Sequence, residues 1–249
     1  MKSIGVYMTI AGIIVSHTFG YAQESDSISH CRTGKVIEIA VPTALITYGV
    51  ISLGNNGIRK LDFSVRDHLV ENNALWNHSW DHFMPFSPVV AAFGMKLCGV
   101  ESKHKTTDMI ILYALSNILN TGIVESTKRI TARERPDFSN RLSFPSAHTS
   151  TAFVAAEFLH QEYKDRSVWI SVGGYAVASL VGMARVYNNR HWVSDVVAGA
   201  GIGILSTKIV YWAYPSLQEA IGKKKQKANA NFFPSYHEGN WGINFSYNF

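Results

Sequence analysis

Long apolar stretches separated by short polar segments dominate the second half of this chain. Asp108 to Val124, Val168 to Ala184 and Val193 to Ala213 are each almost entirely apolar. Because a helix of about 20 apolar residues crosses the hydrocarbon core of a bilayer, these three stretches predict membrane-spanning helices. Ser146 to Leu159 predicts a further helix that is short for a span.

The first half of the chain mixes apolar and amphipathic segments. Val36 to Leu53 is apolar enough for a span, although Glu38 lies near its start. Arg59 to Val70 has apolar residues at helical spacing and predicts an amphipathic helix on the membrane surface. Phe83 to Val100 is apolar but contains two prolines and Lys96, so interfacial, re-entrant and spanning arrangements all stay open.

The N-terminus has the pattern of a secretion signal. Lys2 precedes an apolar stretch from Ile4 to Phe19, and the small residue Ala22 follows shortly afterwards. Residues 1–22 therefore predict a signal peptide cut after Ala22, with an uncleaved anchor helix as the alternative.

The C-terminal segment, residues 223–249, begins with a run of lysines and continues with regularly spaced aromatic residues. By the positive-inside rule, the lysine run predicts a cytoplasmic location. From Trp241 to Phe249, apolar residues alternate with polar or small ones, which predicts a short strand or an interfacial tail. Residues 23–222 are then expected to form one helical domain, with its motifs within 108–214.

Small residues are concentrated on the last two predicted spans. Gly199 and Gly203 form a small-xxx-small pair, which lets two membrane helices approach closely. The pattern predicts an all-α fold, a tight multi-helix transmembrane bundle. The alternative is that these glycines relieve crowding in a soluble helical core, although glycine disfavours soluble helices.

Composition favours the membrane and excludes some partners. Hydrophobic residues make up 47% of the chain and charged residues only 16%, against about 25% charged in soluble domains. The net charge of +5 suits an anionic lipid or a phosphorylated substrate, but no basic stretch is interleaved with aromatics as in nucleic-acid-binding surfaces. We therefore expect no nucleic-acid partner. The two cysteines have no metal-ligand spacing.

Three clusters of charged and polar residues lie at the ends of predicted helices. The first contains Lys128 and Arg135, the second contains Ser146 and His148, and the third runs from Arg185 to Asp195. If successive helices alternate in direction across the membrane, all three clusters lie on one face. Residues from all three clusters can then form one site.

The cations in these clusters suit a phosphate. Lys128, Arg135 and Arg185 would bind its oxygens, with the two guanidinium groups able to do so in a bidentate manner. Ser146 is well placed to cap its helix. Its hydroxyl and the following backbone N–H groups, beginning with Ala147, would add donors where the helix dipole is positive.

The remaining polar residues suit nucleophilic catalysis. His191 and Asp195 lie four apart at the start of a helix, so the carboxylate can fix the imidazole tautomer and stabilise the charge that builds during attack. His148 would protonate the leaving alkoxide and later activate water. The alternative is that His148, His191 and Asp195 bind zinc, but the three nearby cations would repel a dication.

These residues resemble the type 2 phosphatidic acid phosphatase (PAP2) superfamily. The pattern of that family is a lysine followed after six residues by Arg-Pro, then Pro-Ser-Gly-His, then Ser-Arg, five residues, His, three residues and Asp. This chain matches it in order and spacing, with two departures. The matching positions are Lys128, Arg135, Pro136, Pro145, Ser146, His148, Arg185, His191 and Asp195, and the departures are Ala147 for Gly and Ala184 for Ser.

The resemblance implies a helical bundle, a phosphohistidine intermediate on His191, and a reaction without metal or other cofactor. Within the family, the stretch from Phe144 to Tyr214 looks like the signal-bearing branch of Bacteroidetes, which includes lipid A 4'-phosphatases. The expected partners are thus a phosphorylated envelope lipid and the membrane. The expected location is the bacterial inner membrane, with the active site facing the periplasm. The oligomeric state stays open.

Other readings use the same residues. An undecaprenyl pyrophosphate phosphatase or a phosphatidylglycerol phosphate phosphatase would need an identical site. A soluble periplasmic acid phosphatase has a similar length and motif, and vanadium haloperoxidases share the anion pocket but are usually larger. An inactive membrane scaffold that binds a lipid headgroup is the alternative from outside the enzymes, yet binding alone would need the cations and none of His148, His191 and Asp195.

Overall fold

The computed structural model describes residues 29–72, 75, 83–226, 229–237 and 240–248, and the side chains of 38–72, 75 and 83–220. The expected signal peptide, residues 1–22, lies outside the described residues. The described part of the chain contains seven α-helices and one antiparallel strand pair. Their bounds are α1 Ser29–Ile51, α2 Gly57–Glu71, α3 Ser87–Leu97, α4 Thr106–Thr131, α5 Ala147–Tyr163, α6 Val168–Tyr187, α7 Val193–Gln226, β1 Asn229–His237 and β2 Asn240–Asn248.

The predicted all-α transmembrane bundle is confirmed for the described residues from Ser29 to Gln226. Among the described helices, three are long and apolar enough to cross a membrane, namely Thr106–Thr131, Val168–Tyr187 and Val193–Ala220. They are the three spans that the apolar pattern predicts. The apolar part of α1, Glu38–Ile51, is shorter, and so is the segment Met84–Leu97, which joins a 3-10 turn to α3.

Helix α5 lies at the centre of the bundle, where it packs against α3, α4 and α6. Ala152 and Ala156 of α5 are fully buried against Ala178 and Val181 of α6. Around this centre, α4 and α6 turn apolar side chains outward, as expected for lipid-facing helices. Ile118 of α4, for example, is 69% exposed. The short α5 is thus covered by protein, while α4 and α6 have exposed apolar faces that suit lipid.

Helix α7 approaches α5 too closely for any side chain at the glycine positions. A Cβ atom added at Gly199 would lie 2.7 Å from the backbone oxygen of Ser146. One added at Gly203 would lie against the backbone oxygen of Ser150 and 3.0 Å from the Cβ of Phe153. The small-xxx-small pair therefore makes the close helix contact that its spacing predicts.

Gly203→Ala is expected to destabilise the protein by about 1–3 kcal/mol, the usual effect of forcing a methyl group into a packed contact. The added methyl must push α7 away from the backbone of α5. Gly173→Ala on α6 is the matched control, because nothing lies within 4 Å of a Cβ added there. Thermal unfolding in detergent measures both variants, and equal melting temperatures would contradict the close contact.

A buried ion pair links α5 to α7 inside the bundle. The carboxylate of Glu157 lies 3.0 Å from Lys208 Nζ, and both side chains are at least nine-tenths buried. The same carboxylate accepts hydrogen bonds from Gln161 and from the Tyr175 hydroxyl. Because its charge and hydrogen-bonding capacity are matched, this cluster is a satisfied polar contact between helices.

The chain from Ile209 onward forms a separate compact unit. It contains the C-terminal part of α7 and the strand pair, in which Phe232 lies opposite Phe245 and Tyr236 lies opposite Trp241. The alternating residues from Trp241 to Tyr247 form part of β2, which agrees with the short strand that their pattern predicts.

Candidate active site

Three helix ends meet at one end of the bundle through backbone hydrogen bonds. The Ser146 N–H, at the start of α5, donates to the backbone oxygen of Asp195 in the first turn of α7 at 3.0 Å. The Ser143 N–H donates to the backbone oxygen of Arg133, just after α4, at 2.9 Å. The clusters that are scattered along the sequence therefore converge, as the alternating helix directions predict.

The spacing between Arg185 and His191 has a structural origin in the way α6 ends. Asn189 has a left-handed φ of 55°. Its N–H bonds to the oxygen of Val186, and the Arg190 N–H bonds to the oxygen of Arg185 at 3.0 Å. This pair of bonds is the Schellman motif, which reverses the chain at a helix C-terminus. It holds Arg185 and His191 on either side of one tight turn.

His191 is 2% exposed, and its ring is held by a backbone group. Its Nδ1 lies 2.8 Å from the backbone oxygen of Ser143. Because a carbonyl oxygen only accepts, Nδ1 carries the proton and Nε2 holds the free lone pair. The nearest carboxylate oxygen of Asp195 is 3.7 Å from Nδ1, which is an ion-pair distance and too long for a hydrogen bond. Ser143 thus fixes the tautomer, a role that the sequence assigns to Asp195.

The surroundings of His191 keep its ring neutral. Burial is the largest influence and lowers the pKa of His191 to about 4, while Asp195 acts in the opposite direction. The charges of Lys128 and Arg185 lower the same pKa further, because both cations lie close to the ring. At neutral pH the imidazole is therefore unprotonated and available as a nucleophile.

Asp195 is fully buried and has several hydrogen-bond donors around its carboxylate. One oxygen accepts from an Nη atom of Arg133 at 2.7 Å. The other accepts from the Ser143 hydroxyl and, at 3.0 Å, from the Trp192 backbone N–H. The last bond is half of a capping box, in which the third residue of a helix reaches back to its N-cap. Asp195 thus closes the start of α7 and carries a negative charge beside His191.

Arg133 and Asp62 belong to the same buried network, and the sequence reasoning missed both roles. Arg133 donates to Asp62 of α2 at 2.7 Å, in addition to its bond with Asp195. The sequence holds a faint signal for Asp62. It lies on the same face of α2 as the buried Leu69, so it is an acidic residue on the buried side of an amphipathic helix.

The predicted phosphate-binding cations surround this network. Lys128, 5% exposed, donates from Nζ to the backbone oxygen of Leu142 at 2.6 Å. Arg185 is also buried, whereas Arg135 is half-buried. Burial lowers the pKa of Arg135, and the neighbouring charge of Arg185 lowers it further. Cations that repel one another in this way form a site that an anion stabilises.

The start of α5 supplies the other predicted residues. Ser146 caps the helix as expected, since its hydroxyl oxygen accepts hydrogen bonds from the backbone N–H and, at 2.9 Å, from the hydroxyl of Thr149. Ala147 and His148 are the first two residues of α5 and are half-buried. A ligand at this helix end meets the backbone N–H of Ala147 and the positive end of the dipole.

The zinc alternative does not fit this geometry well. Among the side chains that the structure describes, no group of three His, Cys, Asp or Glu is arranged to hold a metal ion. Both oxygens of Asp195 already accept hydrogen bonds, and the Nδ1 of His191 is bound to a backbone oxygen. The one described cysteine side chain, Cys98, is exposed and free.

The chain has helices of membrane length, and a buried neutral imidazole and several cations lie together at one end of them. This combination is typical of membrane phosphatases. The chain belongs to the PAP2 superfamily, whose model matches residues 108–219. That range contains every residue of the three motifs. The family hydrolyses phosphate esters.

Two characterised relatives support this membership. The chain is 37% identical to lipid A 1-phosphatase of Porphyromonas gingivalis over 173 residues, which cover 69% of this chain and 36% of that protein. It is 30% identical to phosphatidylglycerophosphatase B of Bacillus subtilis over 157 residues, covering 56% of this chain and 71% of that protein. The chain thus spans about a third of the first relative's length.

The crystal structure of Aquifex aeolicus LpxE is a structural neighbour. It has a TM-score of 0.45 and 20% sequence identity, and the match covers 61% of this chain and 93% of that one.

Proposed function

We propose that this chain is a membrane lipid phosphatase that works through a phosphohistidine on His191. The observation that carries the proposal is the orientation of this ring. With Nδ1–H held by the Ser143 oxygen, the lone pair of Nε2 is the free nucleophile of a buried, neutral imidazole. Binding of a lipid headgroup alone would require cations but no oriented imidazole.

The reaction takes place in two displacements. In the first, Nε2 of His191 attacks phosphorus, a P–N bond forms, and the bond from phosphorus to the lipid oxygen breaks as His148 gives that oxygen a proton. In the second, His148 takes a proton from water, the water oxygen attacks phosphorus, and the P–N bond breaks. Inorganic phosphate leaves, and both histidines return to their starting states.

Fixed charges assist both steps. The ring of His191 becomes positive when Nε2 bonds to phosphorus, and the carboxylate of Asp195, 3.7 Å from Nδ1, stabilises that charge. Lys128, Arg135 and Arg185 neutralise the phosphate oxygens, together with the Ser146 hydroxyl and the Ala147 backbone N–H. No step calls for a metal ion or another cofactor.

The substrate that we propose is lipid A, with the 4'-phosphate as the group removed. The chemistry of the site suits any phosphate on a lipid, and the Porphyromonas gingivalis relative is named for the 1-phosphate of lipid A. Which of the two phosphates is removed is therefore an outcome of the experiment below. Phosphatidylglycerol phosphate is the second candidate, favoured by the Bacillus subtilis relative, and undecaprenyl pyrophosphate is the third.

The proposed location is the inner membrane, with the site on the periplasmic side. With a cleaved signal peptide, a periplasmic site requires an even number of crossings before Lys128. The proposed count assigns the two crossings to α1 and α4 and leaves Met84–Leu97 on one side of the membrane. The three membrane-length helices disfavour the soluble acid phosphatase alternative.

The function is tested with purified protein in detergent and excess EDTA, supplied separately with lipid A, phosphatidylglycerol phosphate and undecaprenyl pyrophosphate. We expect phosphate release from lipid A, and fragment masses of the lipid product identify the phosphate that is lost. Release only after a divalent metal is restored would favour the zinc alternative. Lipid binding without any phosphate release would favour the scaffold.

A further inference from the structure

Asp62 lies in the amphipathic helix α2, well outside the motif region, yet its carboxylate is buried beside the catalytic network. It is 2% exposed. One oxygen accepts from the Ser194 backbone N–H at 3.0 Å, and the other accepts from the Ser194 hydroxyl and from Arg133. The Ser194 N–H is one of the unpaired donors in the first turn of α7, so Asp62 caps that helix from a distant part of the chain.

Arg133 is shared between two carboxylates. One Nη atom lies 2.7 Å from Asp62, and the other lies 2.7 Å from Asp195. The second Nη atom also donates to the hydroxyls of Ser52 and Ser194. A planar guanidinium with this many partners has little freedom to move. The guanidinium of Arg133 is therefore occupied by protein partners, and we do not assign it to the substrate phosphate.

Two routes connect Arg133 to the nucleophile. Through its side chain, Arg133 holds Asp195, the carboxylate beside His191. Through its backbone oxygen, it holds the Ser143 N–H, and the oxygen of Ser143 in turn accepts from His191. A shift of the Arg133 guanidinium thus alters the charge beside the ring, and a shift of its backbone alters the group that orients the ring.

We propose that Asp62 is a positioning residue for the phosphohistidine chemistry, acting through Arg133 and the first turn of α7. The proposal rests on the proposed function of His191. Because Arg133 pairs with Asp62 as well as with Asp195, it neutralises the charge of Asp195 only in part. The remaining negative charge of Asp195 acts on the His191 ring. Asp62 also fixes Ser194, the residue next to Asp195, by accepting two hydrogen bonds from it, and Arg133 donates a third to the Ser194 hydroxyl.

The sign of the electrostatic effect follows from the charges that face His191. Asp195 on α7, Lys128 on α4 and Arg185 on α6 act on the ring directly. Arg133, after α4, and Asp62, on α2, are the next charges in the network, since Arg133 is paired with both Asp195 and Asp62. Neutralising Asp62 makes the surroundings of the ring more positive, which disfavours its protonated and phosphorylated forms. Neutralising Arg133 has the opposite effect. The two changes should therefore move the acid limb of the pH–rate profile in opposite directions.

The test uses Asp62→Asn and Arg133→Gln in the full chain, assayed with the lipid that wild type hydrolyses. We expect Asp62→Asn to lower kcat by about tenfold to a hundredfold, as for outer partners of other catalytic groups, while KM stays near the wild-type value. The acid limb should move to lower pH in Asp62→Asn and to higher pH in Arg133→Gln. The substrate titrates identically in every assay, so relative shifts belong to the enzyme.

Asp67→Asn is the matched control, because Asp67 lies on the same helix, is exposed and pairs only with the neighbouring Arg66 among the ion pairs of the described residues. Its kcat and pH profile should equal those of wild type. A purely structural role for Asp62 predicts a lower melting temperature in detergent with kcat and the acid limb unchanged in the protein that stays folded. That result would overturn the proposal.

Two further outcomes are distinguishable. A wild-type protein that releases no phosphate from any lipid contradicts the proposed function, whereas an active wild type with an equally active Asp62→Asn contradicts the positioning role alone. If Asp62→Asn does not fold, Ser194→Ala tests the same connection, since it removes the hydroxyl that bridges Arg133 and Asp62. It must lower kcat at unchanged KM, and an unchanged kcat overturns the proposal.

Discussion

Replacing His191 by alanine is expected to lower kcat for phosphate release by about 10⁴-fold or more, the scale of loss when a catalytic nucleophile is removed. Alanine offers no atom to form the P–N bond. The cations of the site are untouched, so the lipid should still bind. The measurement is steady-state phosphate release together with a lipid-binding assay on the same preparation.

A trapped intermediate gives an independent measure of the same prediction. Wild type quenched during turnover of a phosphate-labelled lipid should carry an acid-labile label, as expected for phosphohistidine, and His191→Ala should carry none. His68→Ala is the control, because His68 is exposed on α2 and bonds only to the nearby Asn72 among the contacts that the structure gives it. Near-normal turnover by folded His191→Ala would exclude the mechanism.

The helices and the motif residues could be predicted because each depends on local sequence. A membrane span requires only enough consecutive apolar residues, and α6 and α7 begin where that rule places them, at Val168 and Val193, although α7 continues to Gln226, past the predicted end at Ala213. Ser146 predicts an N-cap because serine is a favoured capping residue and precedes an apolar helix, and the structure confirms this cap. The small-xxx-small pair likewise predicts a close contact before the partner helix is known.

The orienting groups of the site could not be predicted, because they depend on tertiary contacts. The partner of the His191 ring is a backbone oxygen, and every residue has one, so nothing in the sequence distinguishes Ser143. Asp62 bonds to a residue 132 positions away. Such a contact depends on how α2 packs against the other helices. In the sequence it is indicated only weakly, by an acidic residue on the buried face of an amphipathic helix.

The Arg-Glu-Arg sequence at 133–135 illustrates the same limit. Both arginines look equally suited to a phosphate, but Arg133 is buried between two carboxylates, whereas Arg135 is half-buried and forms no ion pair with a carboxylate among the described residues. A buried cation with two anionic partners has its charge compensated within the protein. Only the second arginine therefore retains charge for a ligand.

His148→Ala is expected to slow lipid hydrolysis by about 10³-fold, within the usual range for general acid–base catalysis. The lipid leaves as a strongly basic alkoxide, which requires a proton as the P–O bond breaks. p-Nitrophenyl phosphate releases a weakly basic phenolate that needs none. With this substrate, the variant should still phosphorylate His191 at a rate near that of wild type.

The second displacement should fail in the same variant, because no base activates the water. We therefore expect one burst of p-nitrophenol, equal in amount to the enzyme, followed by almost no turnover while the phosphohistidine accumulates. His160→Ala, near the other end of α5, should show ordinary steady-state release, since His160 bonds to Ser171 away from the site. Equal slowing of both substrates, with no burst, would mean that His148 binds the phosphate and transfers no proton. The burst is specific for loss of proton transfer. A variant that binds or folds poorly releases less p-nitrophenol and less inorganic phosphate, whereas a variant that lacks only the proton transfer releases p-nitrophenol once and then almost no phosphate.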